Sequence, residues 1–334
     1  MSEKNKNEKE NQEYTQRVID LAKDSGFSRH VIAHFADVYP NEVELLISRF
    51  RRGEIPSIRV NTLKRAPKDL IELLRNKKIT LRKSRWLDYA YDVIEDEASL
   101  IGHSHEYLKG YYYIQSLASM IPAHILAPQP NESVLDICAA PGSKTTQLAM
   151  LMNDQGTILA VDSDKDRLDA LHSNLKRCGV QNTTTMLRNA VEFKDDKLMF
   201  DKVLLDAPCS GSGTFFGKEP GKQAPNSEYL IPIIKTQKDL LRAGLRTLKK
   251  GGILVYSTCS LYPEENELVI YEVLKSKQSG TYELIEPWDS IGLPGMIEYK
   301  GQSLSEEMLK TRRITPHDHD TEGFFYAVFR RVKE

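Results

Sequence analysis

Residues 133–145 read SVLDICAAPGSKT, an apolar run followed by a turn of small residues and the polar start of a helix. Apolar runs of similar length recur at Thr157–Asp162, Lys202–Ala207 and Ile253–Cys259. Short apolar runs that alternate with amphipathic segments are typical of buried parallel strands joined by helices. This pattern predicts an α/β protein with a Rossmann-like, doubly wound sheet.

The predicted elements of this sheet occupy most of residues 109–334, which we interpret as one α/β domain. The predicted strands are Ser133–Cys138, Thr157–Asp162, Thr183–Arg188, Lys202–Ala207, Ile253–Cys259, Tyr282–Glu286 and Phe324–Arg330. The predicted helices are Lys144–Leu151, Lys165–Arg177, Thr236–Leu248 and Glu264–Lys275. Because strands and helices alternate, the sheet is expected to be mostly parallel.

The N-terminal third has another organisation. Residues 1–13 are mostly Lys, Glu, Asn and Gln, a composition that predicts a disordered tail. Residues 14–54 carry apolar residues at helical spacing and predict a helical region, in which Ser28 caps the second helix and Pro40 begins the third. Residues 55–108 show a β-α-β-β order and predict a small unit similar to an RNA-recognition or ferredoxin-like half. Its elements are Ser57–Thr62, Pro67–Asn76, Ile79–Arg82 and Tyr91–Ile94.

Charge is distributed unevenly along the chain. The net charge of −1 comes from 46 Lys and Arg residues against 47 Asp and Glu residues. Between Arg49 and Arg85, however, 13 basic residues face three acidic ones, a local charge of +10 that leaves −11 on the remainder. An excess of this size in one small unit favours a phosphate-binding surface over an ordinary solvated face. Trp86, Tyr89 and Tyr91 follow and are candidates for stacking on bases, with core packing as the alternative for at least one.

Several classes of protein are excluded. The chain has four widely spaced cysteines, Cys138, Cys178, Cys209 and Cys259. They form no disulfide framework or zinc motif and predict a reducing, cytoplasmic location. The N-terminus lacks the apolar core of a secretory signal, and Gln and Pro interrupt the uncharged residues 111–130, so no membrane partner is expected. His317 and His319 have a metal-like spacing but are expected in a surface loop, and no metal is predicted.

Ligands of doubly wound sheets bind beyond the carboxyl ends of the strands, so the residues at those ends are the candidate site. The first strand is followed by Cys138, Ala139, Ala140, Pro141, Gly142, Ser143 and Lys144. Their small side chains allow a ligand to approach the backbone, and the next helix offers free N–H groups. The segment is no phosphate-binding P-loop, because its first glycine is absent and Lys144 does not follow a glycine. The alternative is an ordinary strand–helix turn.

The second and third strands end in polar residues. Asp162 lies where an acidic residue can bind the ribose hydroxyls of a nucleoside cofactor, and Arg167 follows five residues later. The alternative role for Asp162 is a helix N-cap, to which Asp164 has an equal claim. Asn189 follows the third strand and either pairs with an adenine edge or closes a turn. Together these residues predict a nucleoside-binding edge.

The fourth and fifth strands each end in a cysteine. Cys209 lies in the segment Asp206–Gly213, and Cys259 lies in Tyr256–Ser260. A buried cysteine is usually inert packing. Two cysteines at the ends of adjacent central strands, beside Asp206, instead favour a reactive pair. Position alone leaves open which of the two is the nucleophile.

These segments together resemble the Sun/Fmu-type family of RNA cytosine-5 methyltransferases. The matching segments, in chain order, are Ser57–Lys64, Gly110–Gln115, Asp136–Thr145, Asp206–Gly213, Tyr256–Ser260, Pro263–Glu267 and Gly323–Ala327. The resemblance extends from Ser57 to Arg330. It implies that residues 109–334 form a catalytic domain that uses S-adenosylmethionine to make 5-methylcytosine in RNA.

The resemblance also implies residue roles. Cys259 would be the nucleophile that adds to carbon 6 of cytosine, and Cys209 would assist release. Asp206 would stabilise protonation of the cytosine ring nitrogen and contact the cofactor, and Lys144 would orient the base. S-adenosylmethionine would be held by Cys138–Lys144, Asp162, Arg167, Asn189 and Asp206. DNA cytosine methyltransferases use the Pro-Cys position, here Cys209, so alanine variants of the two cysteines distinguish the assignments.

The sequence departs from the family pattern in two places. The family usually has Asp at position 189, and residues 215–218 (Phe-Phe-Gly-Lys) replace a more basic loop, which is expected to alter how the base is held. We expect a compact form similar to archaeal enzymes that modify tRNA, because no sequence resembling an extra RNA-binding module follows Arg330, and we expect a monomer. The alternatives are a ribosomal RNA methyltransferase and a catalytically inactive RNA-binding assembly factor on the same fold. A DNA methyltransferase is less favoured, because the basic unit resembles an RNA-recognition fold.

Overall fold

The computed structural model describes residues 14–96, 99–193, 198–216, 227–276 and 281–332. The predicted tail, residues 1–13, lies outside the described residues. The described chain contains N-terminal helices, a four-stranded sheet, a nine-stranded sheet and a two-stranded ribbon. No helix in these ranges is long and apolar enough to span a bilayer.

The N-terminal helices are α1 (Gln16–Ser25), α2 (Arg29–Val38) and α3 (Val43–Arg51). Ser28 caps α2, as predicted, with its hydroxyl accepting a hydrogen bond from the Val31 N–H. Pro40 does not begin α3, because residues 40–42 form a separate turn. The apolar faces of the three helices share one buried cluster.

The small sheet is built from β1 (Ser57–Val60), β2 (Ile79–Lys83), β3 (Ala90–Asp96) and β4 (Tyr112–Ile114). Its helices are α4 (Pro67–Arg75) and α5 (His105–Leu108). The strand order is β2-β3-β1-β4, and every neighbouring pair is antiparallel. The β-α-β-β order therefore agrees with the prediction, although β4 extends the sheet past residue 108. The division of the chain into domains stays a prediction.

The large sheet and its surroundings contain the remaining elements. In chain order they are α6 (Leu117–Leu126), β5 (Ser133–Ile137), α7 (Ser143–Leu151), β6 (Thr157–Asp162), α8 (Lys165–Cys178), β7 (Thr183–Leu187), β8 (Phe200–Asp206), α9 (Ser227–Arg246), β9 (Leu248–Thr258), α10 (Glu267–Lys275), β10 (Tyr282–Ile285), β11 (Leu293–Pro294), β12 (Glu298–Tyr299), β13 (Gln302–Ser303), β14 (Arg312–Ile314), α11 (Pro316–His319) and β15 (Phe324–Arg331). Short 3₁₀ turns lie at Ala190–Glu192, Ser212–Thr214, Pro263–Glu265 and Glu306–Lys310.

The order of the large sheet confirms the predicted Rossmann-like α/β fold. It runs β11-β14-β15-β9-β8-β5-β6-β7, with β10 also paired to β15. The strands β5 to β9 are parallel, and β15 lies antiparallel to β9. From β5 the chain builds outward through β6 and β7, then returns to the other side of β5 through β8 and β9. The crevice at this reversal is where doubly wound folds bind ligands.

Some elements differ from the predictions. Helix α9 begins at Ser227 rather than Thr236 and runs through Pro232. The predicted helix Glu264–Lys275 is a 3₁₀ turn followed by α10. Helix α6 was not predicted, because eight of its ten residues are buried and it has no polar face to give a helical period.

The two metal-like histidines do not lie in a surface loop. Both belong to the short helix α11, and the side chain of His317 is only 5% exposed and contacts the Tyr39 ring edge-on. The His319 ring accepts a hydrogen bond from the Thr315 N–H. Within the described ranges, no group of three or more His, Cys, Asp or Glu residues is arranged to hold a metal ion.

Candidate active site

The two cysteines predicted as a pair are in contact. Cys209 follows β8 and Cys259 follows β9, and these strands are parallel neighbours. Their sulfur atoms lie 3.0 Å apart, and both thiols are free. A disulfide bond would bring the sulfurs to about 2.05 Å. The crevice therefore presents two adjacent, partly exposed thiols.

An ion pair lies in the same crevice. Lys144 Nζ, on α7, lies 2.7 Å from Asp206 Oδ2, at the end of β8. The Lys144 ammonium also donates to Ser119 Oγ at 2.9 Å, and it faces the Phe324 ring. Ser257 Oγ donates to the other oxygen, Asp206 Oδ1, at 2.8 Å. The Asp206 side chain is thus fixed in orientation while it remains 31% exposed to the crevice.

The loop between β5 and α7 is joined to the end of β6. Asp162 Oδ2 accepts a hydrogen bond from the Ala140 N–H at 3.1 Å. Arg167 Nη1 lies 3.6 Å from Asp162 Oδ2, and Arg167 Nη2 donates to the Ala140 carbonyl. The N-cap of α8 is Asp164, whose side chain accepts from the N–H groups of residues 166 and 167. Asp164 is therefore the N-cap of α8, and the Asp162 side chain instead binds the loop between β5 and α7.

Asn189 closes a turn, which is one of the two roles considered for it. Its side chain is exposed at the carboxyl end of β7, next to the end of β6. Its Oδ1 accepts a hydrogen bond from the Val191 N–H at 3.1 Å and so closes a 3₁₀ turn. A contact with an adenine edge would then fall to its amide NH₂ group.

Asp136 is an acidic residue of the matched motif for which no role was predicted. Its Oδ2 accepts from Thr145 Oγ1 at 2.7 Å, but its buried Oδ1 has no hydrogen-bond partner. Burial, together with the charges of Asp206 and Asp162, raises the pKa of Asp136 to about 7. An acceptor that has no donor within the protein fits a ligand that donates hydrogen bonds, as the ribose hydroxyls and the ammonium group of S-adenosylmethionine do.

The cysteine loops contain further residues that were not predicted from the sequence. Glu265, in the turn after β9, binds both loops, and Ser257 binds Asp206. The contact with Cys259, burial and the charge of Glu265 raise the pKa of Cys209 well above its usual value. The available signal was the segment Pro263–Glu267, which matched the family without any role being assigned to its acidic residues.

The basic stretch is mostly a surface, with two buried exceptions. Ten of its 13 basic side chains are exposed: Arg51, Arg52, Lys64, Arg65, Lys68, Arg75, Lys78, Arg82, Lys83 and Arg85. Arg49 and Arg59 are 7% and 1% exposed. Arg49 pairs with Asp320 at 2.6 Å, and Arg59 Nη2 donates to Thr146 Oγ1 at 2.7 Å. These two charges stabilise the fold, so the local excess of +10 overstates the charge available to a ligand.

The aromatic candidates divide in a similar way. Tyr91 is buried in the core of the small sheet and cannot stack on a base. Trp86 is half-buried under the Arg85 guanidinium, and Tyr89 Oη accepts from Gln147 Nε2. Tyr91 is therefore confined to core packing, whereas the half-buried Trp86 and Tyr89 rings contact core clusters and keep part of their surface exposed.

The difference at residues 215–218 has a packing explanation. Phe215 and Phe216 are buried against α2 and α3, where Phe216 contacts the ring of Phe50 and the guanidinium of Arg49. They attach the N-terminal helices to the segment that follows Cys209. Gly217 and Lys218 lie outside the described residues.

The fold and this crevice define a class, the Rossmann-like methyltransferases that depend on S-adenosylmethionine. Comparison with known proteins then identifies the family. The family model for the 16S rRNA methyltransferases RsmB/F matches residues 123–330, and the chain belongs to this family. The resemblance drawn from the sequence is confirmed.

The relatives include a 28S rRNA (cytosine-C(5))-methyltransferase of Mus musculus, 36% identical over 329 residues, which are 96% of this chain and 41% of that protein. A methyltransferase homologue from Pyrococcus horikoshii has a solved structure with a TM-score of 0.85 and 35% identity, covering 95% of this chain and 100% of that chain. The structure of NSun6 from Pyrococcus horikoshii gives a TM-score of 0.80 and 25% identity, and the match covers 93% of this chain and 100% of that chain.

NSun6 was solved with SFG, an analogue of S-adenosylmethionine, and together with the family it confirms the predicted cofactor. The chain spans about half the length of the curated relatives it matches.

Proposed function

We propose that the protein is an RNA cytosine-5 methyltransferase that acts on ribosomal RNA through a covalent cysteine–cytosine intermediate. The observation behind the proposal is the contact between Cys209 and Cys259 beside the Asp206–Lys144 ion pair. The expected substrate, tRNA, is less well supported than ribosomal RNA, because the family model and the mouse relative are both named for ribosomal RNA.

Carbon 5 of cytosine is a weak nucleophile, and the cysteines address this difficulty. A Cys259 thiolate that adds to carbon 6 would make carbon 5 nucleophilic, which divides one difficult step into two easier ones. The raised pKa of Cys209 disfavours its thiolate, which fits the assignment of Cys259 as the attacking sulfur that the resemblance implies. After methyl transfer the proton on carbon 5 must leave, and the bond between carbon 6 and the Cys259 sulfur then breaks; Cys209 would assist this release, as the resemblance implies.

The other residues of the crevice orient and polarise the base. Asp206 would stabilise a proton on the cytosine ring nitrogen, which makes carbon 6 more electrophilic. Lys144 holds this carboxylate by charge and would orient the base. The backbone of Cys138–Lys144, with Asp162, Arg167 and Asn189, would hold S-adenosylmethionine, which supplies the methyl group. Because both thiols must remain reduced, we place the protein in the cytoplasm.

The exposed basic side chains of the small sheet and the loops around it would bind the RNA backbone. Phosphate contacts of this kind give affinity and orientation without reading sequence. Arg85 and Trp86 combine a cation with a half-buried ring, an arrangement that suits an unpaired base. The buried Arg59 joins this unit to the catalytic domain, since it donates to the Ser143 carbonyl and to Thr146 on α7.

Incorporation of labelled methyl groups into purified ribosomal RNA, tRNA and DNA tests the substrate. We expect 5-methylcytosine in ribosomal RNA, at a position that bisulfite sequencing would locate, and none with the Cys259→Ala variant. Methylation of tRNA alone would favour the substrate expected from the sequence. RNA binding without methylation of any substrate would instead support the inactive assembly factor.

A further inference from the structure

Glu265 is a charged residue in an unusual environment. It lies in the 3₁₀ turn after β9, and its side chain is completely buried. Within the described ranges no Lys, Arg or His forms an ion pair with it. A buried carboxylate without a cation is costly unless hydrogen bonds replace its lost water. Conventional packing would place an apolar side chain here, so the carboxylate requires an explanation.

Hydrogen bonds to both cysteine loops provide that explanation. Glu265 Oε1 accepts from the Ser210 N–H at 2.8 Å and from Gln237 Nε2 at 3.1 Å. Its Oε2 accepts from Ser210 Oγ at 2.5 Å and from Ser260 Oγ. Four donors match the four acceptor sites of an ionised carboxylate. Ser210 directly follows Cys209 and Ser260 directly follows Cys259, so one side chain binds the residue after each cysteine.

Other contacts hold the same two loops together. The Gly213 N–H donates to the Cys259 carbonyl at 2.9 Å. A Cβ atom at Gly213 would lie 2.8 Å from that carbonyl oxygen and 2.2 Å from the Gly323 oxygen, so only glycine allows this approach. Asn266 Oδ1 accepts from Thr258 Oγ1 at 2.6 Å, and Asn266 Nδ2 donates to the Ser260 carbonyl at 2.9 Å. Glu265 is the charged member of this network.

We propose that Glu265 is a positioning residue that holds the Cys209 and Cys259 loops in contact and places a fixed negative charge beside Cys209. The inference rests on the proposed function for the roles of the two cysteines. Glu265 touches neither sulfur through its own hydrogen bonds, and it acts through Ser210 and Ser260. The titratable groups that face Cys209 within the described ranges include Cys259, Glu265 and Tyr256, and the first two oppose its ionisation.

Thiol alkylation over a pH series tests the charge. Iodoacetamide modification of each cysteine, resolved by mass spectrometry of peptides, requires neither RNA nor cofactor. For Glu265→Gln, which keeps the size but removes the charge, we expect the pH of half-reaction of Cys209 to fall by about one unit. The matched control is Glu264→Gln, since Glu264 binds His34 and Tyr299, away from the cysteines. An unchanged midpoint in Glu265→Gln would overturn the role of the charge.

Glu265→Asp tests the positioning separately and is milder if Glu265→Gln fails to fold. The shorter side chain keeps the charge but cannot reach both loops. We expect kcat to fall about tenfold to a hundredfold, with both KM values unchanged, because a small misplacement of reacting groups is costly. The pH of half-reaction of Cys209 should stay as high as in the wild type. A wild-type kcat would overturn the positioning role. If no RNA is methylated even by the wild type, the proposed function fails while the alkylation result still decides the charge.

Discussion

The carboxyl edge of the large sheet has two halves that are built differently. The cofactor half is formed by the ends of β5, β6 and β7 and contains Asp136, Asp162 and Asn189. The cysteine half is formed by the ends of β8 and β9 and contains Cys209 and Cys259. In the cofactor half, Asp136 Oδ1 is buried without a partner. In the cysteine half, the supporting carboxylate, Glu265, accepts four hydrogen bonds.

The difference separates two kinds of functional polar group. Buried acceptors are nearly always satisfied, so one left without a donor marks a place that a ligand can complete. Reacting groups, in contrast, need a rigid support that is already complete. On this interpretation, the Asp136 carboxylate is completed by S-adenosylmethionine, whereas the Glu265 carboxylate is completed by the protein itself. The two halves should therefore respond to different substitutions.

The largest effect is expected from Cys259→Ala. Loss of a covalent nucleophile should lower methyl transfer by about 10⁴-fold or more, while affinity for S-adenosylmethionine stays the same, because Cys259 belongs to the cysteine half. Labelled-methyl incorporation and calorimetry measure the two quantities. Cys178→Ala is the control, since Cys178 is buried in α8. Full activity in Cys259→Ala would contradict the assignment.

An intermediate effect is expected from Asp162→Asn. The amide loses the charge and turns a donor toward the backbone N–H groups that the carboxylate now accepts from. We expect calorimetry to show affinity for S-adenosylmethionine reduced about tenfold to a hundredfold, the usual value of a charge-assisted hydrogen bond. Cysteine alkylation should not change. Asp164→Asn is the matched control, because Asn caps a helix as well as Asp does. An equal loss of affinity for S-adenosylmethionine in both variants would contradict the specific role of Asp162 in the cofactor half.

The smallest effect is expected from substitutions of the exposed basic side chains between Arg49 and Arg85. Replacing Arg65, Lys68 and Arg75 with Gln should weaken RNA binding and make its dependence on log salt shallower by about 0.7 for each phosphate that is no longer neutralised. Affinity for S-adenosylmethionine should be unaffected. Filter binding over a salt series measures this. Arg59→Gln is the contrasting variant, since its loss of buried hydrogen bonds should lower thermal stability instead. Loss of cofactor binding in the triple variant would show that these basic residues stabilise the fold and do not bind RNA.

The parallel sheet could be predicted because each of its strands is a short apolar run with a helix after it. Cys209 and Cys259 could be placed together for the same reason, since adjacent parallel strands end at one edge. Asp162 is preferred for the nucleoside site on its position at the end of a strand, but the sequence does not show which of Asp162 and Asp164 caps α8, because only the hydrogen bonds distinguish them.

Contacts between distant segments account for most of what was missed. The sequence predicts Arg59 to be a surface charge, but its partner Thr146 lies 87 residues away. Glu265 bonds Ser210, 55 residues earlier, and nothing in the local sequence indicates that it is buried. Helix α6 was missed because it is apolar on all sides and so lacks a periodic pattern. Local patterns predict elements, but burial of a charge is decided by the tertiary fold.

The proposed chemistry depends above all on Cys259, the covalent nucleophile that the cysteine half would supply. A decisive experiment is to incubate the Cys209→Ala variant with substrate RNA and S-adenosylmethionine, digest the RNA with nuclease, and locate the remaining nucleotide by peptide mass spectrometry. We expect a methylated cytidine adduct on Cys259, because product release is blocked. An adduct on Cys209 in the Cys259→Ala variant, with none on Cys259 in Cys209→Ala, would show that the two cysteines have the opposite roles.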